Sequence, residues 1–208
     1  MLAGTADALS VRITDVASGA SVVIVDGVDD AAADGVIAVI GTVLGNSSVD
    51  LTSALIVDEN GKSTLTTNVG NAVAGSDGLI VEATHAGFRS AASAPQPSMV
   101  SFTLNGSNVN STVTGMAGAD DGNAEFSFAS ASLSGSVSTT GENATDSTAV
   151  ALSDPFSLTG KYVIQAGGAV TFDSTIIAMA AIPLPAAGLL LLGGLGGLVM
   201  VRRRRKAA

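Results

Sequence analysis

The chain has no cysteine and no tryptophan, with one histidine and one tyrosine among its 208 residues. Without cysteine there is neither a disulfide framework nor a thiol nucleophile. A single histidine cannot build a usual zinc site without thiolates beside it, and a serine triad would have to use His85 without any Gly-x-Ser-x-Gly elbow. Aromatic residues make up 3% of the chain. Sites that grip sugars usually stack the ring on an aromatic face, so a glycosidase built on paired carboxylates and a strong lectin are both disfavoured. Cations are scarce as well. Of the nine Lys and Arg, five lie in residues 202–206; the body keeps Arg12, Lys62, Arg89 and Lys161 against all 18 acidic residues, a formal charge of −14. Such a body has too few cations to hold phosphates, which excludes nucleic acid as a partner. It favours solubility outside the cell or association with divalent cations.

What is present is alternation. Leu9, Val11 and Ile13 alternate with Ser10, Arg12 and Thr14, and Val100, Phe102 and Leu104 with Ser101 and Thr103. Phe126 and Phe128 alternate with Glu125 and Ser127. A period of two predicts half-buried strands. Turn-formers punctuate these runs at Ser18-Gly19, Asn60-Gly61, Ser76-Asp77-Gly78, Asn105-Gly106 and Gly167-Gly168. About twelve short strands with no intervening helix imply an all-β fold, an antiparallel β-sandwich or jelly roll, over residues 9–181. Residues 162–166 and 170–176, joined at Gly167-Gly168, read as the clearest hairpin. The Ser/Thr-rich run 130–148 reads as exposed polar strand or loop.

Two acidic clusters could carry chemistry. Asp26, Asp29, Asp30 and Asp34 lie on one loop between apolar strands. Hard cations take several oxygens from a flexible turn, which makes calcium the candidate ion and a solvated loop the alternative. The spacing is not that of an EF-hand. Asp120, Asp121, Asn123 and Glu125 form a second such group. Glu82 and His85 are three apart on an alternating strand, so they point to opposite faces and do not form a dyad.

The last 30 residues differ in kind. Residues 179–201 carry no charge over 23 positions, and roughly 20 apolar residues cross a bilayer as a helix. Arg202, Arg203, Arg204, Arg205 and Lys206 follow at once, and such a basic stop is retained on the cytoplasmic side. A single C-terminal transmembrane helix is therefore expected, with the body outside. Pro183 and Pro185 mark its outer end, where proline costs least. Gly193, Gly194, Gly196 and Gly197 leave a bare face on which another helix can pack closely.

Ile182-Pro183-Leu184-Pro185-Ala186, the Leu/Gly-rich apolar helix and the terminal basic run together resemble the VPLPA-CTERM tail, a variant of the PEP-CTERM sorting signals of Gram-negative bacteria. Ile182 stands where that family has Val. The resemblance covers residues 182–208. It implies export, transient membrane anchoring, and recognition and cleavage by an exosortase, a membrane enzyme supplied in trans. Leu184-Pro185-Ala186-Ala187-Gly188 also resembles the sortase motif Leu-Pro-x-Thr-Gly, but Ala187 occupies the position of the attacked Thr. At the other end, Ala6-Asp7-Ala8 has the small-residue pattern of a signal-peptidase site, so residues 1–8 read as the remnant of a signal-peptide cleavage region.

These readings point to an exported, non-enzymatic structural protein of the cell surface or extracellular matrix. The alternative is a surface binding or adhesion module, calcium-stabilised, that contacts polysaccharide. A secreted hydrolase is the third reading.

Overall fold

The computed structural model describes residues 8–29, 35–59, 62–89 and 96–180. Twelve strands occupy them: β1 (Leu9–Asp15), β2 (Ser21–Val25), β3 (Val36–Leu44), β4 (Ser47–Glu59), β5 (Lys62–Val73), β6 (Leu79–Phe88), β7 (Gln96–Val109), β8 (Val113–Asp120), β9 (Ala131–Val137), β10 (Asn143–Leu152), β11 (Phe156–Ile164) and β12 (Val170–Ala180). There is no helix among the described residues. The strands form two six-stranded antiparallel sheets, sheet A in the order β2-β1-β6-β11-β8-β9 and sheet B in the order β10-β7-β12-β5-β4-β3. From β5 to β12 the chain changes sheet at every step except the β8–β9 hairpin. The resulting sub-orders, β6-β11-β8-β9 and β5-β12-β7-β10, are those of a jelly roll. The β1–β2 hairpin widens sheet A beyond β6, and β3–β4 widens sheet B beyond β5.

Alternation explains why these segments pair face to face. Leu9, Val11, Ile13, Val81, Ala83, Leu158, Tyr162 and Ile164 bury the inner side of sheet A, while Leu65, Val69, Val100, Phe102, Leu104, Phe172 and Ile176 bury that of sheet B. Each Val, Leu, Ile or Phe side chain taken from water stabilises the fold by about 1.5–3 kcal/mol. Bulk on one sheet meets bareness on the other. A Cβ on Gly115 would lie 2.6 Å from Cζ of Phe102, and one on Gly160 would lie 3.1 Å from Cδ1 of Ile176. The Tyr162 and Phe172 rings close the middle of the sandwich with centroids 5.1 Å apart.

Three sequence expectations are corrected. The pair joined at Gly167-Gly168 is not a hairpin: β11 pairs with β6 and β8 in sheet A, and β12 with β5 and β7 in sheet B. Two alternating strands around a glycine turn bury the same core whether the second folds back beside the first or arches over to the facing sheet, and here it arches. Asn105-Gly106 is not a turn but lies inside β7, where the register with β12 shifts. Residues 125–128 are not a strand. They belong to the loop between β8 and β9, in which Asn123 and Phe126 adopt left-handed φ values of 58° and 54° that a pleated strand does not allow. The predicted sorting motif and transmembrane helix (182–208), residues 1–7 of the cleavage remnant and the Asn60-Gly61 turn lie outside the described residues.

Candidate functional site

The acidic loop after β2 is the first candidate. Its described carboxylates serve as caps: Asp26 Oδ2 accepts the Gly35 N–H at 2.9 Å, and Asp29 Oδ2 accepts the Val25 N–H at 3.0 Å. Asp30 and Asp34 lie outside the described residues. Among the described residues no group of three or more His, Asp or Glu side chains is arranged to hold a metal ion. The second acidic cluster is likewise spent on loop structure. Asp120 Oδ1 accepts the Gly122 N–H at 2.6 Å, Asp121 Oδ1 accepts the Ser153 hydroxyl at 2.5 Å, and Asn123 Oδ1 accepts the Gly87 N–H at 2.6 Å. The Ser153 hydroxyl, followed by its N–H, holds the Asp121 carboxyl below the usual aspartate range.

Glu82 and His85 take opposite faces of β6, as their spacing requires. His85 pairs with Leu9 on the inner side and sits edge-on to Phe88 with ring centroids 4.5 Å apart. Glu82 faces outward in a row that crosses all of sheet A: Val23, Arg12, Glu82, Lys161, Met116 and Ser134 are successive register partners. Arg12 Nε donates to Glu82 Oε2 at 2.6 Å, and Lys161 Nζ lies 3.6 Å from Glu82 Oε1.

Over one half of this face runs a strap, residues 121–130. The Phe126 ring lies on the Arg12 guanidinium, with 4.2 Å between Cζ and the ring centroid. The Phe126 N–H donates to Thr84 Oγ1 at 3.2 Å, the Ser157 hydroxyl donates to the Ala124 carbonyl at 2.6 Å, and the Phe128 ring fills the space above Gly118. Thr84 and Thr159, polar residues on the outer side of the sheet, are thereby buried completely.

The outer face of sheet B is organised differently, and no motif in the sequence marks it. Across the adjacent strands β10, β7, β12 and β5, register sets Asn143, Asn105, Asp173 and Asn68 in one row; Thr145, Thr103, Thr175 and Thr66 in the next; and Ser147, Ser101, Ile177 and Thr64 in a third. All are exposed or half-buried. Ile177 is the only apolar member and Asp173 the only ionisable one. In the first row the amides are aligned: Asn143 Nδ2 donates to Asn105 Oδ1, and Asn105 Nδ2 donates to Asp173 Oδ2 at 2.7 Å. With strands about 4.8 Å apart and rows about 6.7 Å apart, this is a flat grid of hydroxyl and amide groups, each able to donate and accept. The polar phase of alternation, Ser101/Thr103/Asn105, Thr64/Thr66/Asn68 and, within the Ser/Thr-rich run, Asn143/Thr145/Ser147, is its trace in the sequence. Exposed aromatic platforms do not accompany it: Phe88, Phe102, Phe156, Tyr162 and Phe172 are in the core.

No protein-family model matches the chain, and no curated protein matches it in sequence. Solved structures do. The module TmCBM61, solved in complex with beta-1,4-galactotriose, is 13% identical, with 64% of this chain and 88% of that one covered and a TM-score of 0.32. The N-terminal cellulose-binding domain of Cellulomonas fimi beta-1,4-glucanase C is 14% identical over 66% of this chain and 85% of its own, with a TM-score of 0.30. A Bacillus thuringiensis Cry1Da tryptic core variant is 13% identical over 68% of this chain and 22% of its own, with a TM-score of 0.31.

Proposed function

We propose that this is an exported, non-enzymatic surface or matrix protein whose sandwich binds a neutral, hydroxyl-rich polysaccharide through the outer face of sheet B. The observation that carries the reading is the grid itself. Three rows of Asn, Thr and Ser offer paired donors and acceptors, which is what sugar hydroxyls take, and Asp173 is the only charge within it. Recognition on this face is by hydrogen bonds rather than by stacking. Delivery would be the task of residues 182–208, whose resemblance to an exosortase signal supports transient anchoring in the membrane with the basic run inside. Calcium at the loop of Asp26, Asp29, Asp30 and Asp34 would be an accessory to the fold.

The test is affinity electrophoresis of the full-length chain in detergent through gels holding neutral glucans, galactans or mannans. Thr103→Val/Thr175→Val keeps the β-branched shape while removing two hydroxyls from the centre of the grid. At about 0.5–1.5 kcal/mol per hydrogen bond, the pair should weaken retardation about tenfold. Migration unaffected by every neutral polymer, or equal retardation of the Val variant, would overturn the reading.

A further inference from the structure

We infer that the outer face of sheet A holds a separate site for a carboxylate group, of the kind borne by a uronic-acid sugar, seated between Arg12 and Lys161. The body has four cations in a field of −14. Two of them stand in one row, on the two register positions that flank a single acid, Glu82. The row therefore carries one net positive charge.

Both cations are held in place yet open to solvent. Their side chains are 35% and 31% exposed, against 7% for Glu82. Arg12 engages Glu82 through Nε alone, and among the described residues neither its Nη groups nor Lys161 Nζ donates a hydrogen bond to the protein. The guanidinium plane is fixed from one side by the Phe126 ring and from the other direction by Glu82, so its Nη1–Nη2 edge is a preorganised fork. A planar carboxylate fits that fork with two parallel N–H···O bonds, and an ammonium close by adds a point charge.

The backbone around it is itself strained. Asn123 and Phe126 are the two non-glycine residues with left-handed φ among the described residues, and both lie in the strap that presents the ring to Arg12. An aromatic residue held in that conformation is a cost kept for what it positions. On the uncovered side of the row, Ile80 and Val163 are half-buried and, with Met116 next to Lys161 in the row itself, give a sugar ring an apolar floor.

The test uses the full-length chain in detergent at 0.15 M salt with EDTA, where the overall negative field is screened beyond about 8 Å and no divalent ion bridges acid to acid. Titration with tri-galacturonate should show saturable binding by calorimetry, and its methyl ester, which is neutral, should bind at least about tenfold more weakly. Arg12→Lys keeps the charge but not the fork, and Lys161→Gln keeps the Arg12–Glu82 pair, so both should melt near the parent temperature. Each should lose about fivefold to tenfold in affinity for the uronate. Thr103→Val/Thr175→Val, on the other sheet, should leave it unchanged, which separates this site from the neutral-polymer face. Equal binding of acid and ester, or affinity untouched by both cation variants, overturns the inference. Tighter binding of a sulfated than of a carboxylated sugar overturns the assignment to carboxylate.

Discussion

Asp15 shows how much one side chain does at the end of this sandwich. It closes β1, has no solvent exposure, and gathers three turns. Its Oδ2 accepts the Ser47 hydroxyl at 2.5 Å, and its Oδ1 accepts both the N–H and the hydroxyl of Ser18 at 2.7 Å. Ser47 Oγ in turn accepts the Gly75 N–H at 2.8 Å. The Ser47 hydroxyl first, then the two Ser18 groups, favour the charged form and hold the Asp15 carboxyl below the usual aspartate value. A carboxyl lowered in the folded state contributes stability that is full above its unfolded value of about 3.9 and is lost as pH falls through the folded one. Stability should therefore rise with pH over the acid range. Asp15→Asn should reduce that slope and lower the melting temperature at pH 7, as thermal melts from pH 3 to 7 would record. A parallel pair of curves for parent and variant would mean that the carboxylate does not sense folding.

At the scale of elements, the strap between β8 and β9 and the outer strand β3 handle exposure in opposite ways. The strap covers polar residues on sheet A and is seated on a glycine. A Cβ at Gly118 would stand 2.9 Å from Cγ and 3.0 Å from Cα of Phe128, so Gly118→Ala must lift the ring and the backbone behind it. Overpacking of this kind costs about 1–3 kcal/mol. Urea unfolding should show that loss in Gly118→Ala, whereas an unchanged midpoint would mean that Phe128 does not rest on the sheet. Strand β3 instead leaves Ile40 and Val43 exposed, at 84% and 71%. Two register shifts against β4 bend this edge and break the regular ladder that another strand would need.

For the whole molecule the decisive experiment concerns residues 182–208. Proline at a helix entry adds little to insertion, so a plain anchor should tolerate Pro183→Ala/Pro185→Ala without change. A processed signal should not. The residue before a proline is pushed out of the helical region, so under the sorting reading the two prolines would serve to present an extended backbone to a peptide-cleaving enzyme. In its host the mature protein is expected to lack residues 202–206, and the double variant to accumulate uncleaved in the membrane fraction. Mass spectrometry of the C-terminal peptide, with and without the host's exosortase, reads this directly. An intact C-terminus on mature surface protein would leave a simple anchor.

The sequence by itself determined the all-β class and the inner faces of its strands. Leu9/Val11/Ile13 and Val100/Phe102/Leu104 must share a side when successive side chains alternate, and an apolar side must find another to cover it. It also determined that Glu82 and His85 part company. Tertiary structure alone decided which strands are neighbours. The turn at Gly167-Gly168 obeys the same local rules whether it closes a hairpin or an arch, and only burial against both sheets chooses the arch. For the same reason the grid on sheet B and the Arg12, Glu82 and Lys161 row were illegible. Their members lie tens of residues apart, and register, set by the packing of the whole core, is what brings them side by side.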